Sequence, residues 1–263
     1  MIDIKKHFWL VLPLLLISAF FLYFTVQQGI PLPADSLVGL YHPWRDALKK
    51  QFPSGYPYKN YLITDPVRQQ YPWKKLAVEQ IKQGRLPLWN RFSFSGYPLS
   101  ANFQSGAFYI ANLLMVLFQF NTGWTIYITI QPILALIFMY FFLKDKTDNF
   151  SAALGGVSFA FSGFIVAWFE WGTLGHTLIW LPLIFHLIEK NIINNKPVNK
   201  LLLVFALCSS FFAGHLQTAF YVVFISALYT VSRLLRLKID KKDKKKAGKR
   251  IGFLYLLFIL LTS

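Results

Sequence analysis

The sequence predicts an all-α polytopic membrane protein, and three observations predict it. Hydrophobic residues make up 55% of the 263-residue chain and charged residues only 14%, with a mean hydropathy of +0.44; soluble domains are roughly a quarter charged. Several apolar runs approach the ~20 residues that cross a hydrocarbon core as a helix. The cations of the short loops fall in every second loop between those runs, and so on one side of them, as the positive-inside rule requires. A β-barrel would need short alternating strands instead.

The first apolar run, 8–26, resembles a signal peptide but lacks a small-residue cleavage site ahead of Gln27-Gln28-Gly29, so residues 1–26 are read as an uncleaved first transmembrane helix. Residues 27–123 follow as a long polar insert. Residues 124–263 carry spans near 124–143, 150–168, 174–188, 201–213 and 216–235, and another from 251 that the chain end interrupts. The chain therefore reads as an N-terminal piece of a longer protein. The run 106–120 is short and contains Asn112 and Gln119, which suits a helix lying at the membrane interface better than one crossing it.

With 106–120 kept out of the count, the segments 1–7, 144–149, 189–200 and 233–250 share one side and hold 17 of the 27 Lys and Arg residues. That side is expected to be cytoplasmic, with the insert outside. The run Lys241–Arg250 reads as a solvated topology anchor on a loose loop. The net charge of +16 thus follows the membrane rather than a nucleic acid. A single cysteine, Cys208, allows no disulfide within the chain. No His-Glu-x-x-His and no phosphate-binding glycine loop is present, which argues against a zinc hydrolase and a nucleotide-driven pump.

The insert carries one pattern twice. Asp35 precedes Tyr41 by six residues, and Pro43-Trp44-Arg45 follows; Asp65 precedes Tyr71 by six, and Pro72-Trp73-Lys74-Lys75 follows. Nine prolines, Pro31 to Pro98, break the insert into short pieces. The clearest is 72–83, with Trp73, Leu76, Ala77 and Ile81 on one face and Lys74, Lys75, Glu79 and Lys82 on the other, the pattern of a helix lying in a membrane interface. Glu170 lies at the end of a span, where a carboxylate near hydrocarbon calls for a partner or a wet cavity, and His176, His215 and Gln217 fall on the same side. Each feature has a plainer reading. Asp35 and Asp65 suit helix N-caps, the tryptophans suit interfacial anchors, the cations a solvated face, and the histidines hydrogen-bonded core positions.

The strings Asp65-Pro-Val-Arg-Gln-Gln-Tyr-Pro-Trp73, Gly84-Arg-Leu-Pro-Leu-Trp-Asn90, Phe94-Ser-Gly-Tyr-Pro98, Ala101-Asn-Phe-Gln104 and Gly214-His-Leu-Gln217 resemble the YfhO-like bacterial membrane protein family. That family resembles the C-type glycosyltransferases, multi-spanning enzymes that take a sugar from a polyprenyl-phosphate carrier on the outer face. The resemblance implies a helical bundle whose long first extracytoplasmic loop holds interfacial helices and a catalytic carboxylate. It also implies the bacterial cytoplasmic membrane as location, and as partners the lipid bilayer, a polyprenyl-phosphate-linked sugar and an outer-face glycan, polymer or lipid acceptor. On this reading Asp35, close after the first span, is the preferred general base, Asp65 the second candidate, and Glu170 an orienting or assisting acid. Arg68, Lys74, Lys75 and Arg85 are candidate contacts to the donor phosphate. Trp89, Asn90 and Gln104 are candidate sugar contacts, and Tyr41, Tyr71, His176, His215 and Gln217 candidate cavity residues. No Asp-x-Asp pair is present, so a divalent cation, magnesium or manganese, remains open and no other cofactor is expected. The competing class is a non-catalytic transporter or assembly factor for lipid-linked envelope polymers.

Overall fold

The computed structural model describes residues 4–26, 30–56, 63–238 and 240–263. The Gln27-Gln28-Gly29 stretch and Pro57 lie outside them. Among the described residues the regular structure is helical apart from one two-residue strand pair. A long first helix, α1 (Ile4–Val26), leads into the insert. There α2 (Asp35–Leu40), α3 (Trp44–Ala47) and α4 (Tyr71–Lys82) precede strands β1 (Trp89–Asn90) and β2 (Tyr97–Pro98), which pair antiparallel. After α5 (Leu113–Leu117) come α6 (Phe120–Leu143), α7 (Asn149–Ala160), α8 (Gly163–Ala167), α9 (Leu174–Leu178), α10 (Trp180–Ile193), α11 (Pro197–Phe212), α12 (Leu216–Arg236) and α13 (Lys241–Thr262).

The apolar runs form helices, as hydrocarbon demands, because a helix satisfies its own backbone groups. Among the described residues three stretches are long and apolar enough to cross a membrane: Phe120–Leu143, Asn149–Ala167 and Leu216–Arg236. The expected spans from 174 and 201 are each shorter or broken. A turn at Ile179 separates α9 from α10, and α11 has 16 residues, about 24 Å at 1.5 Å per residue. In place of one helix over 106–120, a single 3-10 turn, Ile110–Asn112, leads into the five residues of α5, about 8 Å of helix.

One expectation is corrected. The basic run from Lys241 is the first half of α13, not a loose loop. Lys is a good helix former, and Asp240 and Asp243 place negative charge at the helix start, where the dipole favours it.

The core sits on α6, which packs against α1, α5, α7 and α10; α10 continues to α11, and α11 to α13. Outward faces stay apolar, as along Phe220, Phe224, Leu228, Val231 and Leu235 of α12. Inward faces carry small polar residues that bond across helices: Ser210 Oγ donates to the Thr177 carbonyl (2.8 Å) and Tyr255 to Ser226 Oγ (2.7 Å). The insert docks on the end of the bundle where α6 begins; Lys144, Lys146, Lys190 and Arg233 gather at the other end.

Candidate functional site

Two carboxylates, Asp35 and Glu170, line one cavity of about 840 Å³. The polypeptide reaches it by a short route. After α1 the Ile30–Pro33 segment is bent by Pro31 and Pro33, and the Trp124 indole N–H donates to the Pro31 carbonyl at 3.3 Å, fixing the segment on α6. Asp35 then opens α2 as its first residue. Glu170 is carried on a single 3-10 turn, Phe169–Trp171. That turn is tied to α6 twice: the Gln131 amide donates to the Phe169 carbonyl (3.0 Å) and the Tyr127 hydroxyl to the Gly172 carbonyl. Gly172 ends the turn at φ +61°, a conformation that favours glycine. Phe20, Phe21 and Phe169 supply aromatic wall, with Phe21 stacked on Phe169 at 5.6 Å, and Thr125 and Thr129 of α6 supply hydroxyls.

The doubled pattern folds in two different ways. In the first copy α2 ends at Tyr41, the chain turns through a cis His42–Pro43 peptide and Trp44 begins α3. In the second copy Pro66–Gln70 form a wide π turn that runs straight into α4, so Tyr71, Pro72 and Trp73 are helical. A π turn is a local adjustment that lets a proline enter a helix without ending it. Asp65, the residue ahead of the π turn, makes no side-chain cap hydrogen bond, so the capping reading fails there; Asp35 lies inside α2, and its Oδ1 accepts from the Ser36 backbone N–H at 3.0 Å, one of the free donors of the helix start. Asp65 is half-buried ahead of the π turn and does not line the Asp35–Glu170 cavity, although its neighbour Ile63 does.

Of the expected phosphate and sugar contacts, Arg68, Lys75 and Asn90 come together. With Trp73 and Glu79 they line a second, polar cavity of about 330 Å³. The Arg68 guanidinium also lies over the Tyr41 ring at 5.4 Å. Tyr41 caps the end of α2 and Asp35 starts it, so the Arg68–Tyr41 contact and Asp35 lie at opposite ends of one helix about 9 Å long. Other candidates are dispersed. Arg85 is exposed and bonds to Gln83; Trp89 is half exposed on β1; Gln104 accepts from the Gln70 amide at 3.2 Å. The Tyr71 hydroxyl donates to Asn121 Oδ1 at 2.6 Å and its ring packs on Phe120 and Trp124, docking α4 onto α6. His215 is the N-cap of α12, its Nδ1 accepting from the Thr218 backbone N–H at 3.2 Å, and Gln217 bonds to the Tyr221 hydroxyl.

The expected solvated position of Lys74 is corrected. Lys74 is fully buried. The stripe that α4 buries is Lys74, Ala77 and Val78, one residue away from the expected Trp73, Leu76, Ala77 and Ile81 face, because α4 docks on the 105–112 segment and on α6. The Lys74 ammonium donates to the Ser105 carbonyl and to Asn112 Oδ1, both at 3.3 Å, and sits 4.7 Å from the Tyr127 ring centre. Gly106, at φ +53°, makes room for it: a Cβ there would lie 2.9 Å from Nζ. Burial pulls the Lys74 pKa down to about 7. Beyond Tyr127, the buried His176 ring stacks on it at 4.2 Å, its Nε2 lies 2.8 Å from the Tyr127 carbonyl, and its Nδ1 lies 3.0 Å from the Tyr109 hydroxyl, which also accepts from the Trp180 indole. Sequence reasoning missed this network as a unit. The helical spacing of Lys74, Ala77 and Val78 was the available signal.

Among the described residues no three or more His, Cys, Asp or Glu gather as metal ligands. A divalent cation in the larger cavity would have Asp35 and Glu170 as its acidic donors, with Thr125 and Thr129 beside them.

Searches of curated proteins and of solved structures return no match. A family model does match, over residues 91–263; that range includes Glu170, His176 and the 94–98, 101–104 and 214–217 strings, and leaves Asp35, Asp65 and Arg68 outside it. Covering more than half of the chain, the match is to the bacterial membrane protein YfhO, and the chain belongs to that family.

Proposed function

We propose that this protein is a membrane glycosyltransferase of the C-type class, moving a sugar from a polyprenyl-phosphate carrier to a glycan, polymer or lipid acceptor on the outer face of the bacterial cytoplasmic membrane. The observation that carries the reading is the meeting of Asp35 and Glu170 in one large cavity between the insert and the helical bundle. Acid–base catalysis requires its groups to reach one bound substrate, and lining one cavity supports that. The loop cations support the orientation, since those outside the insert lie at the opposite end of the helices.

In this mechanism Asp35 takes the proton from an acceptor hydroxyl. The hydroxyl oxygen bonds to the anomeric carbon as the bond to the carrier phosphate breaks, with inversion. The leaving phosphate is already an anion and needs cationic stabilisation more than a proton; Arg68 and Lys75, which line the polar cavity, supply it. Glu170 orients the acceptor across from Asp35. Phe20 and Phe21 give the isoprenoid chain an apolar path along α1. Against the transporter reading, charged residues of α6, α7, α10, α11 and α12 occur only near helix ends, whereas transport paths place ionisable groups mid-span.

The test is sugar transfer to outer-face polymer in native membranes holding wild type, Asp35→Asn or Asp65→Asn. Loss of the base is expected to lower transfer by roughly 10²-fold or more, with Asp65→Asn the milder variant. Wild-type transfer in Asp35→Asn overturns the mechanism.

A further inference from the structure

At the end of the bundle remote from the insert, a cavity of about 480 Å³ opens between the α6–α7 loop, α10 and α12. Its floor is aromatic: Tyr229 stacks on Phe185 at 4.3 Å, with Phe142 edge-on at 6.1 Å. Three cations rim it. Arg233 holds Glu189 with both ends of its guanidinium, Nη2 to Oε2 at 2.9 Å, and Tyr229 donates to the same carboxylate. Lys190 holds Asp145 at 2.7 Å, and His186 approaches that carboxylate at 3.7 Å. Burial alone would raise the Asp145 pKa, but the Lys190 ammonium outweighs it and holds the group below its ordinary value.

The third cation is placed differently. Lys146 reaches Glu189 only at 3.8 Å, beyond hydrogen-bond distance, and lies 4.5 Å over the Phe142 ring. Both carboxylates are thus occupied in orienting Arg233 and Lys190, and the three cations outnumber the two acids. Each cation side chain is about a third exposed, at 34–37%. Ile193 on the rim is 68% exposed. A group that met this cavity would find fixed cations, an aromatic floor and an apolar lip at the ends of membrane-length helices.

We infer that this cavity binds the phosphate ester of an anionic headgroup, with Lys146 as its principal contact and Arg233 and Lys190 beside it. The inference is independent of the glycosyltransferase reading, which rests on the other end of the molecule. Basic pockets between transmembrane helices are suited to lipid phosphates, and one basic residue near an anionic surface changes affinity about fivefold.

The experiment follows the thermal unfolding midpoint of the purified chain in nonionic detergent by tryptophan fluorescence. Phosphatidylglycerol, phosphatidylcholine and sn-glycerol 3-phosphate are titrated in turn. A rise in midpoint with phosphatidylglycerol and none with phosphatidylcholine is expected. A matching response to sn-glycerol 3-phosphate identifies a soluble phosphate ester as a source, and its absence identifies the lipid; either supports a phosphate-ester site. Lys146→Gln should weaken the response about fivefold, Asp145→Asn should strengthen it, and Lys241→Gln, in the exposed basic run of α13, should leave it unchanged. Equal binding of both lipids, or a Lys146→Gln response equal to wild type, overturns the inference.

Discussion

At the end of the bundle that carries the insert, Lys74 is enclosed by a carbonyl, an amide oxygen and a ring face; at the opposite end, Glu189 and Asp145 are each held by a cation. The two arrangements do different work. Matched ion pairs fix the α6–α7 loop against α10 and α12 whatever the pH near neutrality. A lone buried ammonium in a neutral cage ties α4 to the 105–112 segment and to α6, but its cost depends on whether it carries its proton. The insert end is therefore the end whose docking responds to conditions, and it is also the end where the two cavity carboxylates meet.

The sharpest way to separate the ends is pH. Burial lowers the Lys74 pKa from its ordinary 10.5 to about 7. Between those values the unfolded chain binds a proton that the folded chain does not, so stability rises with pH across that window and is lowest below it. The expected rise is on the order of 4 kcal/mol. Lys74→Met should flatten it, measured as unfolding stability at pH 6 and pH 10 in one detergent; an undiminished slope in the variant would remove Lys74 as its source.

A steric change tests the docking itself. A Cβ on Gly123 would lie 2.5 Å from the Met115 Cα and 2.6 Å from the Leu114 carbonyl oxygen, both backbone. Neither can rotate away, so Gly123→Ala should force α5 off α6 and cost about 3 kcal/mol. Gly252→Ala on α13 meets no atom within 4 Å and serves as the control. Equal midpoints for the two variants would mean that the α5–α6 contact is not tight. At the opposite end, Glu189→Ala leaves Arg233 and Tyr229 without their acceptor. Because the Arg233 side chain is 34% exposed, solvent softens the loss, and a cost of roughly 1–2 kcal/mol is expected. A midpoint unchanged from wild type would show that the charge network contributes nothing measurable.

The two regions are unequally legible in the sequence. The helices of the bundle were legible because hydrocarbon imposes length and apolarity on each separately: the run read as 124–143 is Phe120–Leu143, and 216–235 is Leu216–Arg236. The insert was not, because its order comes from contacts far apart in sequence. The two Asp…Tyr…Pro-Trp copies look alike as strings, yet one turns at a cis proline and the other runs through a π turn into α4. Lys74 looked solvated until Ser105, Asn112 and Tyr127 closed around it. Asp35 and Glu170 are 135 positions apart, and their shared cavity depends on how α1 and the 169–171 turn pack on α6; no local pattern encodes that.

Whether Asp35 and Glu170 act together in that cavity is decided by a double-mutant comparison. Sugar transfer to outer-face polymer would be measured in native membranes holding wild type, Asp35→Asn, Glu170→Gln and the double variant. Residues acting as one unit on one substrate show strongly non-additive losses, so the double variant should transfer little more slowly than Asp35→Asn alone. Losses that multiply independently would contradict a joint site, and wild-type transfer in both single variants would contradict the account altogether.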